Sequence, residues 1–281
     1  MPEAALAIRV LASGSTGNCS LVTIGSGVTT RAVLIDLGLS PRRTRRLLAE
    51  SGVREDQIDA ALITHFDRDH CHPGWANADL GRTRVVFHHT HGTPAHRILG
   101  SASSRRSNPI GASSNVGELR ISTARTPHDD EGTTAFRLET QAGSLGYATD
   151  LGRVTGGLIA ALRGVGTLAI ESNYCPAMQA ASGRPAFLKD RITGGRGHLS
   201  NEQAAAAARQ IGPVAGLVLL HLSQQCNTPE VALAAHEGLG LVTTVSHHID
   251  PTPWIQCAPT RAAAQPLLFE DRSATHGSVS A

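Results

Sequence analysis

"LITHFDRDHCHPGW" (62–75) sets two imidazoles and two carboxylates, His65, Asp67, Asp69 and His70, within six residues of one another, directly behind an apolar run. The apolar run reads as a buried strand, and a strand of an α/β sheet delivers the residues behind it to a crevice at its carboxyl end. In extended chain the side chains alternate, so His65 and Asp67 point to the same side. Asp69 and His70 then fall in the turn before a short helix opened by Pro73. Two groups from a strand end and two from the following turn suit a pair of metal ions, and imidazole mixed with carboxylate suits Zn, Mn or Fe.

Outward from that stretch, the first half of the chain reads as strands joined by turns. The runs 7–14, 20–26, 31–38, 59–65 and 84–89 are rich in β-branched and aliphatic residues and are bounded by Gly, Ser and Thr. Ser40 followed by Pro41 predicts an N-cap and first helical position, with the helix running to about Ser51. The polar, Arg-containing segment 101–115 carries no periodicity and reads as a mobile loop, with a substrate lid as the functional alternative. Strands resume at 118–123, 133–140 and 143–150. The second half alternates strand and helix: a strand at 167–172, a helix around 178–190, and a helix at 201–211 introduced by Ser200 and Gln203 in capping-box spacing. A strand at 216–223, a helix from about Pro229 to Glu237 and a strand at 241–246 complete the pattern. A loose tail is expected at 261–281, after a single domain spanning 1–260. β-rich then βα-rich halves predict α/β architecture with two helix-covered sheets, a four-layer αβ/βα sandwich.

Composition sets the outer bounds. Hydrophobic residues at 41% and charged residues at 17% describe a globular chain. A net charge of +2 means that any nucleic-acid contact must come from a local basic patch. Five scattered cysteines with no C-x-x-C pair argue against a disulfide framework and a Cys-type zinc site. No apolar run approaches the roughly 18 residues of a membrane span, and the start of the chain lacks a basic signal-peptide region. A cytoplasmic protein with no membrane partner is expected; the sequence leaves the oligomeric state open.

T-H-x-D-x-D-H after an apolar strand resembles the signature of the metallo-β-lactamase superfamily. "LASGSTGNCSLV" (11–22), "GYATDLG" (146–152), "ESNY" (171–174), "FLKDRITGGRGHLSNEQAA" (187–205) and "LLHLSQQCNTPE" (219–230) are similar to segments of its bacterial exonuclease-like branch, related to tRNase Z-type phosphodiesterases. The resemblance implies the metallo-β-lactamase fold and two divalent metal ions. It implies a first ion on His65, Asp67 and His128, a second on Asp69, His70 and His221, and Asp150 bridging both. It matches His198 to a histidine that protonates the leaving group. Glu171 and Asn173 would orient ligands.

Such a pair of ions lowers the pKa of a bound water from about 15.7 to roughly 7, making hydroxide near neutral pH, and neutralises phosphoryl oxygens. Asp69 would orient the hydroxide and His198 would act as general acid. The resemblance therefore implies a phosphodiesterase or nuclease acting on nucleic acid. A small-molecule hydrolase of cyclic phosphodiesters or lactones is the enzyme alternative, and a degenerate metal-binding regulatory protein the non-enzyme one. Asp67 departs from the family pattern, which has histidine there. A carboxylate makes the first site harder and more anionic, which favours Mn or Fe over Zn.

Several features have plainer readings. Arg42, Arg43, Arg45 and Arg46 read as a solvated helix face, with phosphate-backbone contact as the alternative, and Arg105 and Arg106 invite the same comparison. His88, His89 and His91 read as surface residues or supports of the site. "SGSTGN" (13–18) lacks the G-K-[ST] of a P-loop and predicts a tight turn at the site's rim.

Overall fold

The computed structural model of the chain describes residues 5–25 and 30–260, with the side chains of 100–106 excepted. The expected tail at 261–281 and the side chains of Arg105 and Arg106 lie outside the described residues.

In chain order the first half contains β1 (Leu6–Ala12), β2 (Cys19–Ile24), β3 (Arg31–Ile35), α1 (Pro41–Glu50), β4 (Ile58–Ile63), β5 (Arg84–His88), α2 (Gly92–Arg106), β6 (Ser107–Ile110) and β7 (Ser113–Val116). The second half contains β8 (Leu119–Thr126), β9 (Thr133–Glu139), β10 (Ser144–Ala148), α3 (Gly156–Leu162), β11 (Thr167–Glu171), α4 (Pro176–Ala181), α5 (Ala186–Thr193), α6 (Asn201–Ile211), β12 (Gly216–Leu220), α7 (Pro229–Ala235), β13 (Val242–Val245) and β14 (Ile255–Gln256). They form two seven-stranded sheets, ordered β14-β1-β2-β3-β4-β5-β6 and β13-β12-β11-β10-β9-β8-β7.

Side-chain alternation explains the layers. Along β4, Ala60 and Leu62 enter the core between the sheets, while Ala61 and Ile63 join the outer cluster containing Leu47 and Leu48 of α1 and Ala95 and Leu99 of α2. Along β12, Val218 and Leu220 face inward, and Leu217 and Leu219 pack outward with Leu158 and Leu162 of α3 and Ala207 and Ile211 of α6. Strands apolar on both faces are what a helix-covered sheet requires. The four-layer αβ/βα sandwich is the observed architecture.

Local signals act where the sequence places them. Ser40 accepts a hydrogen bond from the Arg43 amide, with Pro41 at the first position of α1. Ser200 and Gln203 form a reciprocal capping box on α6, and Gly212 ends it in the left-handed region. No helix among the described residues is long and apolar enough to cross a membrane.

Two expectations are corrected. Segment 101–115 is not one loop: α2 runs to Arg106, and β6 and β7 then add one edge strand to each sheet. Main-chain pairing to β5 and β8 holds these strands, so they need no apolar alternation, and only Ile110 and Val116 reach the core. The helix expected around 178–190 is two, α4 and α5, parted by residues 182–185. Pro185 disfavours helical backbone at the residue before it, which leaves Arg184 between the helices. Helix α3 and strand β14 were not anticipated.

Strands β3 to β6 are parallel, as are β10 to β13. The carboxyl ends of β4, β10, β11 and β12 carry a concentration of polar, chemistry-bearing residues.

Candidate metal centre

Strand β4 ends at Ile63, and the chain behind it turns rather than continuing extended. The amides of His70 and Cys71 both donate to the Asp67 carbonyl, at 2.8 and 2.7 Å. The turn folds Asp67 back, so that its Oδ2 lies 3.7 Å from His65 Nε2. The "SGSTGN" turn clamps this loop from one side, with the Asn18 amide donating to the Asp69 carbonyl at 2.7 Å. Gly38 clamps it from the other. A Cβ at Gly38 would fall 1.7 Å from the Asp69 carbonyl oxygen, so only glycine fits that approach.

The remaining groups arrive from other strand ends. His128 sits in the loop between β8 and β9, Asp150 lies two residues beyond β10, His198 lies just before α6, and His221 directly follows β12. Asp150 is fully buried between imidazoles: its carboxylate oxygens lie 2.8 Å from His70 Nε2, 2.9 Å from His221 Nδ1 and 3.4 Å from His198 Nδ1. Ligand atoms of His65, Asp67 and His128 lie within 4.8 Å of one another, as do those of His65, His70 and Asp150. A third such group joins Asp150, Glu171, His198 and His221. The second expected triad is looser: Asp69 Oδ2 lies 3.7 Å from His70 Nε2 and 4.0 Å from His221 Nε2. All eight residues singled out in the sequence thus converge on one region, with Asp150 at its centre.

Residues behind these fix their orientation. His128 Nδ1 donates to the Gly197 carbonyl at 2.9 Å, which leaves the Nε2 lone pair free. His65 Nδ1 lies 3.0 Å from the Thr64 hydroxyl, again leaving Nε2 toward Asp67. His70 Nδ1 pairs with Asp36 Oδ2 at 2.7 Å, and Asp36 Oδ1 also accepts from the Thr64 amide and hydroxyl. Glu171 Oε1 holds His198 Nδ1 at 2.6 Å, and Asn173 donates to the His221 carbonyl at 2.7 Å. The Ser13 hydroxyl accepts from the His221 amide. Glu171 and Asn173 make contacts of the kind expected of orienting residues; those of Asp36, Asn18 and Ser13 were not anticipated. The signal for Asp36 was present in "LIDLG", an acidic residue closing an apolar strand as Asp150 closes "YATD".

The electrostatics are those of a mutually dependent cluster. Burial pushes His65 well below the usual histidine range, and its neighbour His70 adds to the effect. Burial also opposes charge on His70, but Asp150, Asp36 and Asp69 outweigh it and hold that ring well above the usual range. Burial opposes charge on Asp150 too, yet His221 and His70 keep its carboxyl well below the ordinary carboxylate range. His198 is raised to about 9, because Glu171 and then Asp150 overcome the burial of its ring.

The donor set fits divalent cations. Buried imidazoles with one nitrogen tied back and the other free, interleaved with carboxylates, are what imidazole- and oxygen-binding metals take. The cluster lies at the bottom of an open cleft of about 420 Å³, lined also by Ser15, Asp129, Arg184, Leu188, Arg191 and Gln225. The helix α1 arginines lie outside this lining. Arg43 donates to the His248 and Ile249 carbonyls, Arg45 pairs with Glu55, and Arg46 with Glu50. They serve the solvated, bracing role. His88 and His91 are buried rather than on the surface, and His91 Nε2 sits 3.1 Å from the Gly132 carbonyl, beneath the loop that carries His128.

Comparison with known proteins agrees with this architecture. Residues 31–222 match the beta-lactamase superfamily domain. The chain is similar to the exodeoxyribonuclease WalJ of Streptococcus pneumoniae serotype 2 (strain D39 / NCTC 7466), with 29% identity over 238 residues covering 83% of this chain and 87% of the relative. It is 26% identical over 231 residues to the exodeoxyribonuclease YycJ of Bacillus anthracis, covering 81% and 86% of the two chains. The crystal structure of the metallo-beta-lactamase fold protein YhfI from Bacillus subtilis superposes with a TM-score of 0.62 at 15% identity, over 88% of this chain and 99% of that one.

Proposed function

The chain belongs to the beta-lactamase superfamily, and from that membership we propose that it is a metal-dependent phosphodiesterase that degrades nucleic acid from its ends. One observation carries this reading: His65, Asp67, Asp69, His70, His128 and His221 gather around the buried Asp150 at the foot of an open cleft, with His198 alongside. The likeness to the exodeoxyribonucleases WalJ and YycJ favours DNA as the polymer.

His65, Asp67 and His128 would hold one divalent cation, Asp69, His70 and His221 a second, with Asp150 between them. When bound, the ions supply an activated water and neutralise the oxygens of the phosphoryl group under attack. Asp69 reaches into the cleft and accepts a hydrogen bond from the attacking water, which sets its direction. His198, protonated and aimed by Glu171, donates its Nε2 proton to the departing oxygen. Asp36 keeps a proton on His70 Nδ1, so that Nε2 is the nitrogen that would give up its proton to a cation.

Asp67 supports a working first site rather than a lost one, since its carboxylate lies 3.7 Å from His65 Nε2. Carboxylate in place of imidazole makes this site harder, so Mn or Fe is the expected metal. The protein is tested on end-labelled DNA and on bis(p-nitrophenyl) phosphate with Zn, Mn, Mg and Fe. Release from labelled ends, greater with Mn than with Zn and abolished in Asp150→Ala, is the expected result. Equal activity in Asp150→Ala would remove the bridging role, and inactivity with every metal would remove the enzyme.

A further inference from the structure

Two arginines line the cleft beside the candidate metal ligands, and their surroundings differ. Arg191 of α5 is neutralised by Asp129, with Nη2 2.5 Å from Oδ2 and Nε 3.3 Å from Oδ1. Arg184 has only neutral partners. Its Nε donates to Gln225 Oε1 at 3.0 Å, one Nη to Gln179 Oε1 at 3.0 Å, and the other to the Ser223 hydroxyl at 3.3 Å. Among the described residues no carboxylate forms an ion pair with it. Gln179 is itself buried, so the fork is anchored at its back.

This is the environment of a guanidinium prepared for an anion. Three of its five N–H groups are committed to neutral oxygens, which fixes the plane of the fork and leaves two donors and the full charge. A planar fork suits the paired oxygens of a phosphate. Ser223 and Gln225 line the same cleft and would offer further polar contacts. The position follows from the break between α4 and α5: Pro185 disfavours helical backbone at Arg184, and the side chain of that non-helical residue joins Gln179 of α4 to Ser223 and Gln225 in the loop after β12.

We propose that Arg184 is the anchor of a second phosphate subsite, which binds a phosphate of the substrate other than the one under attack. This rests on the phosphodiesterase reading and narrows it: the preferred substrate carries at least two phosphates, the second being either the next internucleotide link or a phosphorylated end. A lone diester fills the metal centre and leaves Arg184 unsatisfied.

The test compares the metal-loaded full chain with Arg184→Gln and Arg184→Lys. The substrates are bis(p-nitrophenyl) phosphate and one single-stranded oligonucleotide with either hydroxyl or phosphate at its 5′ end. In Arg184→Gln the ratio of kcat/KM on the oligonucleotide to that on bis(p-nitrophenyl) phosphate falls about 10- to 100-fold, mainly through KM, as loss of a charged hydrogen-bond donor predicts. The slope of log affinity against log salt for the oligonucleotide shrinks by about 0.7, the share of one phosphate contact on a single strand. Arg184→Lys restores the slope but not the full affinity. A penalty confined to the 5′-phosphorylated substrate assigns the subsite to an end group; a penalty with both ends assigns it to an internal link. Equal losses on both substrate classes, or an unchanged salt slope, would make Arg184 a structural brace and overturn the proposal. A wild-type protein that hydrolyses neither substrate would instead overturn the functional reading, and this inference with it.

Discussion

Asp36→Asn tests the orientation of the centre without touching a residue placed on a metal. Asp36 is fully buried; its Oδ1 accepts from the Thr64 amide at 2.8 Å and the Thr64 hydroxyl at 2.9 Å, while Oδ2 faces His70 Nδ1 at 2.7 Å. In the asparagine variant the Thr64 amide can only donate, so the carboxamide oxygen must stay toward it. The new NH₂ then points at His70 Nδ1, which has to become the acceptor. The ring proton moves to Nε2, the nitrogen facing Asp150 at 2.8 Å and Asp69 at 3.7 Å, where a cation would need the lone pair. Loss of an outer carboxylate of this kind lowers metal affinity about 10- to 100-fold, equivalent to about 1.4–2.7 kcal/mol. Competition titration of Mn or Zn against a chromophoric chelator reads the affinity, and circular dichroism checks that the variant is folded. A folded Asp36→Asn protein with wild-type metal affinity would refute the argument that Asp36 sets the His70 tautomer.

Glu171→Gln removes the charge that raises His198 to about 9. A proton held for the leaving group is available below that pKa, so the alkaline limb of the kcat profile moves to lower pH relative to wild type under the same metal; a superimposable profile would exclude His198 as the acid. Gly38→Ala forces a methyl into the Asp69 carbonyl and should cost about 1–3 kcal/mol, seen as a lower Tm together with weaker metal binding, whereas a neutral outcome would mean that the ligand loop moves freely. Ser200→Ala deletes the cap of α6 two residues after His198, and about 1 kcal/mol of stability should go with it. Denaturant unfolding measures that loss, and the capping reading fails if the midpoint is unchanged.

The features that the sequence made legible are those with local causes. Helix α6 could be read to the residue because its start and stop are both chemical: Ser200 with Gln203 at one end and Gly212 at the other. The convergence of the eight candidate residues could be anticipated because each stands at the end of an apolar run or in an ordered motif. What stayed hidden depends on contacts between distant segments. β6 and β7 are strands only because β5 and β8 offer main-chain partners, and their Ser- and Asn-rich sequences say nothing of it. Asp36 lies 34 residues before His70, and its role appears only when β3 and β4 pair in parallel. Arg184 reads as one more arginine until Gln179, Ser223 and Gln225 are seen to supply neutral oxygens where a carboxylate would have cancelled its charge.

The backbone itself marks which positions the fold holds against local preference. Among the described residues, four that are not glycine adopt positive φ: Asp36 at 63°, Asp129 at 38°, Asp150 at 53° and His221 at 54°. Every one of them lies in or against the candidate centre, and three directly follow or nearly follow a strand. Left-handed backbone costs an L-residue about 1–3 kcal/mol, so four together represent a sizeable fraction of the stability of an ordinary domain. Such conformations persist where surrounding contacts over-determine them, and here those contacts are the hydrogen bonds of Thr64 to Asp36, of the Asp129 amide to the Arg196 carbonyl, of His70 and His221 to Asp150, and of the His221 amide to the Ser13 hydroxyl. The left-handed turn at a strand end does what an extended residue cannot: it swings the side chain off the alternating faces of the sheet and into the space beyond the strand. Strain concentrated at these positions, with imidazole and carboxylate as the residue types, supports the proposed metal centre, and it predicts that added divalent cation raises the Tm of the whole chain.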